Sequence, residues 1–274
     1  MRSRDSAAFP ALLAAALLGC VANPAWAQPE SRQDRGRRVV YEALKAVGGD
    51  AFLALQDRTE TGRIYSFDNG RPAGGGTIAT VYTQYLTPAP GKFSVRIRQI
   101  FGKNQDEGGF LFTPDGAWSL SFRGASPLDN AEFATYRDTT LRGIFYILRQ
   151  RLDEPGISFY SQGGDIFEHV PVEIVDITDA AGATVTVYFD RNTLLPVRQT
   201  FRRRNTQFDD FDVEATSFAK YRDIKGVKLP LETRRDRNGQ KIFEMFVESE
   251  EINKDLRDEL FTLPANLKIL PKGK

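Results

Sequence analysis

The chain has little of what most catalytic and metal centres are made from. Its 274 residues include one cysteine and one histidine. That pair cannot furnish the usual zinc ligand sets, nor a Ser-His-Asp or Cys-His nucleophile system. A lone cysteine also excludes an intramolecular disulfide, so the core must carry the stability. Long apolar runs are missing as well. The longest, Ala7 to Gly19, falls short of the roughly twenty residues a helix needs to cross a bilayer. Excess charge of one sign is absent too. With 37 basic and 36 acidic residues, the chain lacks the surplus positive charge that nucleic-acid binding requires.

What is present starts at the N-terminus. Arg2 and Arg4 precede the short apolar run, and Ala25-Trp26-Ala27 stands just before Gln28. A charged start, a short hydrophobic stretch and a small-residue site are the pattern of a secretory signal peptide over residues 1–27. The mature chain, 28–274, is then expected to work in a bacterial periplasm. Such a leader removes Arg2, Arg4 and Asp5, which leaves basic and acidic residues equal in number. A second reading overlaps the first. Leu17-Leu18-Gly19-Cys20 resembles the lipobox of bacterial lipoproteins, which predicts a leader of 1–19 and a lipidated Cys20. The protein would then be membrane-anchored and face the periplasm, with that lipid as its only membrane contact.

Carboxylates are plentiful, so a two-carboxylate hydrolase is not excluded by counting, yet no pair stands out. Glu248, Glu250 and Glu251 lie near the end of the last strand, where alternation places Glu248 and Glu250 on one wet face. Asp209-Asp210-Phe211-Asp212 reads as a solvated cluster beside a turn. It lacks the Gly-containing loop and terminal Glu of an EF-hand calcium site. His169, in Phe167-Glu168-His169-Val170-Pro171, reads as a structural histidine on a strand that ends at a proline. No metal and no cofactor are expected.

Along the chain, Val40, Ala43, Leu44 and Val47 predict a helix over about 37–47, stopped by Gly48-Gly49. Asp50 caps a short turn through Leu55. From Arg58 the apolar period becomes two, with strands expected at 59–67, 77–86, 92–101, 109–113 and 117–122. A helix follows over about 135–152, with a stripe of Leu141, Phe145, Leu148 and Leu152 widened by Ile144, Tyr146 and Ile147. So apolar a helix is buried on more than one side. Strands resume at 159–162, 167–178, 183–189, 195–203, 212–222, 227–235 and 241–252. Asn238-Gly239 is the strongest hairpin signal among the links. The expected fold is mainly β with α, an α+β domain of about eleven antiparallel strands.

Two segments of the C-terminal half carry a resemblance. Val187-Tyr188-Phe189-Asp190-Arg191-Asn192-Thr193-Leu194-Leu195-Pro196-Val197 has the form Y-F-D-x-x-T-x-L-P. Tyr221-Arg222-Asp223-Ile224-Lys225-Gly226-Val227-Lys228-Leu229-Pro230 has the form Y-R-D-x-x-G-V-K-L-P. With Leu260-Phe261-Thr262-Leu263-Pro264 and the opening Glu42–Gly49, these residues resemble the LolA/LolB-like superfamily of periplasmic and outer-membrane lipoprotein carriers. The motifs are turn residues and strand ends, so they speak to fold more than to function. The resemblance implies a strongly curved, incomplete antiparallel barrel closed by helices, in one domain over 28–274, whose apolar concave face holds acyl chains.

The expected function is a periplasmic carrier or chaperone, not an enzyme, that binds the acyl chains of a lipid or lipoprotein. Candidate cavity residues are Phe93, Val95, Ile97, Val185, Val187 and Phe189 on strands, with Phe145 and Leu148 on a lid helix. For any single one of them, the ordinary core between sheet and helix is the favoured reading. The alternative is an envelope module that binds or senses a protein partner and takes no lipid. For that role Phe201-Arg202-Arg203-Arg204-Asn205 could touch anionic head groups, though a solvated strand end explains it too.

Overall fold

The computed structural model describes residues 29–103, 108–205, 208–265 and 267–272. The expected leader, with Cys20 and Ala25-Trp26-Ala27, lies outside the described residues. Within the unit Ser31–Lys274, the chain begins with helix α1 (Arg32–Val47). The Ser31 hydroxyl oxygen accepts from the Asp34 amide at 3.0 Å, and Asp34 adds a negative charge to the first turn. The polar first turn carries no apolar stripe, which is why periodicity alone starts this helix at Arg37. Val39, Val40, Ala43, Leu44 and Val47 form its buried face. Gly48 ends it at φ 144°. A Cβ there would stand 2.6 Å from the Gly226 carbonyl oxygen, so the helix end and that turn meet through two glycines. Helix α2 (Asp50–Leu53) is a single turn.

Among the described residues, fourteen strands make one sheet. They are β1 (Asp57–Asp68), β2 (Arg71–Pro72), β3 (Thr77–Tyr85), β4 (Val95–Phe101), β5 (Gly109–Thr113), β6 (Gly116–Ser121), β7 (Gly124–Pro127), β8 (Ser158–Phe167), β9 (Val170–Thr178), β10 (Thr184–Asp190), β11 (Pro196–Asn205), β12 (Asp210–Ile224), β13 (Val227–Arg237) and β14 (Gln240–Ile252). Their order is β7-β6-β5-β4-β3-β1-β14-β13-β12-β11-β10-β9-β8, with β2 a flap on β1. Every pairing is antiparallel, and β1 with β14 joins the two halves, Arg58 opposite Ile252. The end strands do not meet, so the curved sheet is an open half-barrel in an α+β fold.

Four local features differ from the sequence expectation. β2 and β7 are additional strands, too short for alternation to register. β8 runs on past Gln162 to Phe167 because Gly163 and Gly164 accommodate a bulge between Ser161 and Gly163 instead of breaking the strand. His169 is not on a strand. It and Glu168 are the central pair of the β8–β9 hairpin, at φ 67° and 46°. The expected helix over 135–152 is two pieces. Helix α3 (Asn130–Leu141) stops before Gly143, and a second segment starts as α4 (Ile144–Tyr146) and continues as a π turn over Ile147–Arg151. α3 buries none of its residues, while Ile144, Tyr146, Ile147, Leu148 and Leu152 are all buried. A surface helix and an internal one cannot share an axis, and Gly143 makes the turn between them.

The C-terminal segment packs outside. Arg98 Nη1 donates to the Leu260 carbonyl at 3.2 Å. Lys268 and Leu270 run beside β7, bonded to the Ala125 backbone at 2.9 and 2.8 Å. This covers an edge that would otherwise present unpaired backbone groups.

Candidate functional site

The inner face of the half-barrel carries two apolar clusters. The larger is built from the buried face of α1, Ile144, Ile147 and Leu148 of the internal segment, and Val185, Val187 and Phe189 of β10. Phe145 packs against it half-buried, its ring 5.1 Å from that of Phe218. The smaller holds Phe93, Val95, Ile97, Phe112 and Tyr146, with Phe133 and Tyr136 of α3 laid against it. The eight candidate residues therefore fall into two groups, five in the first and three in the second. Phe145 and Leu148 sit on the internal segment and not on the outer helix. Tyr85 packs against both clusters and marks their seam.

The internal segment is pinned by buried polar groups. Gln150 Nε2 donates to the Leu86 and Ser94 carbonyls at 3.1 and 2.9 Å. Gln199 Oε1 accepts from the Ile144 amide at 2.8 Å. The Tyr146 hydroxyl donates to the Lys92 carbonyl and accepts from the Ser94 amide, both at 2.8 Å. Arg151 bonds Glu154 at 2.6 Å and Asp179 at 3.0 Å. Each bond satisfies a buried donor or acceptor, so displacing the segment would leave several unmatched.

α3 is held differently. Arg203 donates to Asp138 Oδ2 at 3.0 Å and to the Thr139 hydroxyl at 2.5 Å. Phe133 meets Phe93 edge-on at 6.1 Å, and Tyr136 stacks on Phe112 with centroids 3.6 Å apart. Burial pushes the Tyr136 hydroxyl well above the usual phenol range.

At the seam lies a charged cluster that sequence reasoning missed. Arg58 Nε donates to Glu250 Oε1, and Arg58 Nη2 donates to Glu60 Oε1 at 2.7 Å. The Glu250 side chain has no exposed surface. Burial pushes its carboxyl up, and with the nearby Glu60 charge this outweighs the pull of Arg58. Arg149 lies over the Tyr85 ring at 5.3 Å and donates to the Leu55 carbonyl at 2.8 Å. Burial also raises Tyr85. The expectation that Glu248 and Glu250 share a wet face is corrected here. Thr61 pairs Ser249 and Gly62 pairs Val247, so Glu248 is the extra residue of a bulge. Across it the alternation flips: Glu248 faces solvent beside Arg63, and Glu250 turns inward.

The remaining candidates are accounted for locally. Arg203 pairs Asp138 and Glu214, Arg204 pairs Asp209, and Arg202 lies over the Phe211 ring at 4.4 Å. Asp212 accepts from Asn205 and Asn238 at 3.1 and 2.8 Å. A cavity lined by Leu141, Ile147, Ile157, Ile177 and Val185, among others, measures about 10 Å³, about the room one water molecule needs. Among the described residues, no helix is long and apolar enough to cross a membrane.

No protein-family model matches the sequence, and no curated relative matches it. Solved structures do match. A DUF1329 family protein from Desulfovibrio piger aligns with TM-score 0.58 at 14% identity, over 85% of this chain and 98% of its own. A domain named for outer membrane lipoprotein sorting, from Vibrio parahaemolyticus, aligns with TM-score 0.53 at 13% identity, over 84% and 97%. A LolA superfamily protein from Nitrosomonas europaea aligns with TM-score 0.50 at 9% identity, over 83% and 97%. At such identities the likeness speaks to architecture, and the architecture of this chain is LolA/LolB-like.

Proposed function

We propose that the protein is a periplasmic, non-enzymatic carrier or chaperone that takes an apolar ligand, the acyl chains of a lipid or lipoprotein, between the sheet and α3. The observation that carries this reading is the contrast between the two closures of an apolar inner face. The internal segment is locked by buried hydrogen bonds. α3 lies over the smaller cluster with no residue fully buried, held by Arg203, the Arg151 bond to the Leu141 carbonyl and three ring contacts of the half-buried Phe133 and Tyr136. An apolar face under a loosely held helix can open to a chain at modest cost, and each CH₂ buried then returns about 0.8 kcal/mol. Two of the similar structures are named for lipoprotein sorting or the LolA superfamily, which supports a carrier role in the envelope.

A second reading is favoured by the packing of the candidate residues. Seven of the eight are buried against neighbouring side chains, as they would be in an envelope protein-binding module that takes no lipid. Native mass spectrometry of the exported protein, with lipid extraction of the same sample, separates the two. Release of a stoichiometric acyl compound on unfolding is the carrier's expected result. An empty mass, unchanged after incubation with phospholipid vesicles, would refute the carrier and leave the partner-binding module.

A further inference from the structure

The seam cluster has hydrogen-bonding capacity that the protein does not use. Glu250 Oε2 and Arg149 Nε are buried and lack partners. A buried carboxylate oxygen left unmatched costs on the order of 1–3 kcal/mol or more. A fold made only to pack would gain by replacing Glu250 and Arg58 with apolar side chains. Within the cluster itself the charges also cancel, Arg58 and Arg149 set against Glu60 and Glu250, while among the described residues Arg222 acts on Glu250 without an ion pair to it. A ligand group bearing a full charge would meet a neutral site and lose its hydration without a counter-charge. A neutral group that can donate to a carboxylate and accept from a guanidinium or phenol loses far less. Tyr85 packs against both apolar clusters, so a chain on either one ends beside these groups.

We propose that Glu250, Tyr85, Arg149 and Arg58 form a polar subsite that receives the uncharged, hydroxyl-bearing end of the apolar ligand. The subsite deepens the carrier reading and rests on it. Its ligand class is a neutral amphiphile: a long-chain alcohol or a hydroxylated lipid, as opposed to a fatty acid or a bare hydrocarbon. The hydroxyl donates to Glu250 Oε2 and accepts from Arg149 or Tyr85, and no bond is made or broken.

The test is displacement of N-phenyl-1-naphthylamine from the purified protein by 1-dodecanol, dodecanoate and dodecane, followed by fluorescence. Dodecanol is expected to displace the dye at a concentration at least tenfold lower than either other chain. Tyr85→Phe and Glu250→Gln should each cut that advantage to threefold or less while leaving dodecane unchanged. Both variants keep side-chain volume, and a thermal melt confirms that each is folded. Equal displacement by all three chains would overturn the subsite and leave the carrier standing. So would a preference for dodecanoate, or a dodecanol advantage that survives both substitutions. A dye that no chain displaces would overturn the carrier reading and the subsite with it.

Discussion

Gly36→Ala tests how α1 closes the half-barrel. In an exposed helix interior, replacing glycine by alanine stabilises by about 1 kcal/mol, because alanine loses less backbone entropy. Here the sign should reverse. A Cβ on Gly36 would stand 2.9 Å from the backbone nitrogens of Ser161 and Tyr160 and 3.0 Å from the carbonyl carbon of Phe159. These are main-chain atoms of β8, which cannot rotate aside as a side-chain tip could. Either the helix lifts or the strand bends, and overpacking of this kind costs about 1–3 kcal/mol. Lifting α1 also strains an anchor one residue away. Arg35 pairs Glu173 at 2.5 Å, and the Ser161 hydroxyl donates to the other oxygen of Glu173 at 2.7 Å. Loosening that charge-assisted pair adds about 1–2 kcal/mol. Against the roughly 1 kcal/mol gain in propensity, the net loss should be about 1–4 kcal/mol.

For a domain of this size each kcal/mol moves Tm by about 2–4 °C, so the variant should melt about 2–16 °C lower. Urea unfolding should show a lower midpoint at an unchanged m-value. Lys45→Ala, on the exposed side of the same helix, is the control and should stay within about 0.5 kcal/mol of the parent. A Gly36→Ala protein more stable than the parent by about 1 kcal/mol would refute the reasoning, since that is the behaviour of a helix with nothing beneath it.

Three further outcomes follow from the same structure. Burial pushes the Asp179 carboxyl up, but Arg151 and the amides of Ala183 and Ala181 outweigh it and hold it below its ordinary 3.8. Its contribution is therefore complete above pH 3.8 and lost as the pH falls through the depressed value. Asp179→Asn should lower stability at neutral pH and flatten that acid limb in a pH series of melts; an unchanged limb counts against the pairing. At the β8–β9 hairpin two side-chain-bearing residues hold positive φ, so Glu168→Asn with His169→Gly should stabilise by about 1 kcal/mol in urea unfolding. Arg203→Met should speed hydrogen exchange across α3 several-fold while global stability shifts by about 1 kcal/mol or less; exchange unchanged in α3 would show that the helix is held by something else.

The sheet was largely legible in the sequence, because its signal is local and repeated. Phe93, Val95 and Ile97 alternate with polar neighbours, and Asn238-Gly239 fixes a hairpin. The LolA/LolB-like architecture was legible too, through turn residues such as Asp190 and Gly226 that any strand-turn-strand of this geometry needs. The inner polar cluster was not. Arg58 and Glu60 sit in a strand of threonines and look like solvated residues, and Glu250 reads as wet for as long as period two is carried through Glu248. A bulge leaves no mark in composition, since it depends on the partner strand. The division of 135–152 was hidden for a similar reason. Only the tertiary fold reveals that 135–140 lies on the surface of the core, touching it through Tyr136, while 144–152 lies within it.

That division decides which part of the closure can yield. Removing the internal segment exposes Leu148, whose truncation alone should cost about 2–5 kcal/mol. It also breaks the bonds of Gln150, Tyr146 and Gln199, each leaving buried groups unmatched at about 1–3 kcal/mol apiece. Releasing α3 costs three ring contacts of the half-buried Phe133 and Tyr136, about 0.5–1.5 kcal/mol each, the Arg151 bond to the Leu141 carbonyl, about 1 kcal/mol, and an ion pair worth about 1 kcal/mol at most. The difference is several kcal/mol in favour of α3 moving. Displacing Phe133 and Tyr136 uncovers Phe93 and Phe112 in the smaller cluster, from which Tyr85 leads to the charged seam. A chain entering by this proposed route would meet apolar surface first and a hydrogen-bonding group only at its inner end. On the proposed carrier reading, the order of contacts would therefore sort ligands by their apolar body before it sorts them by their head.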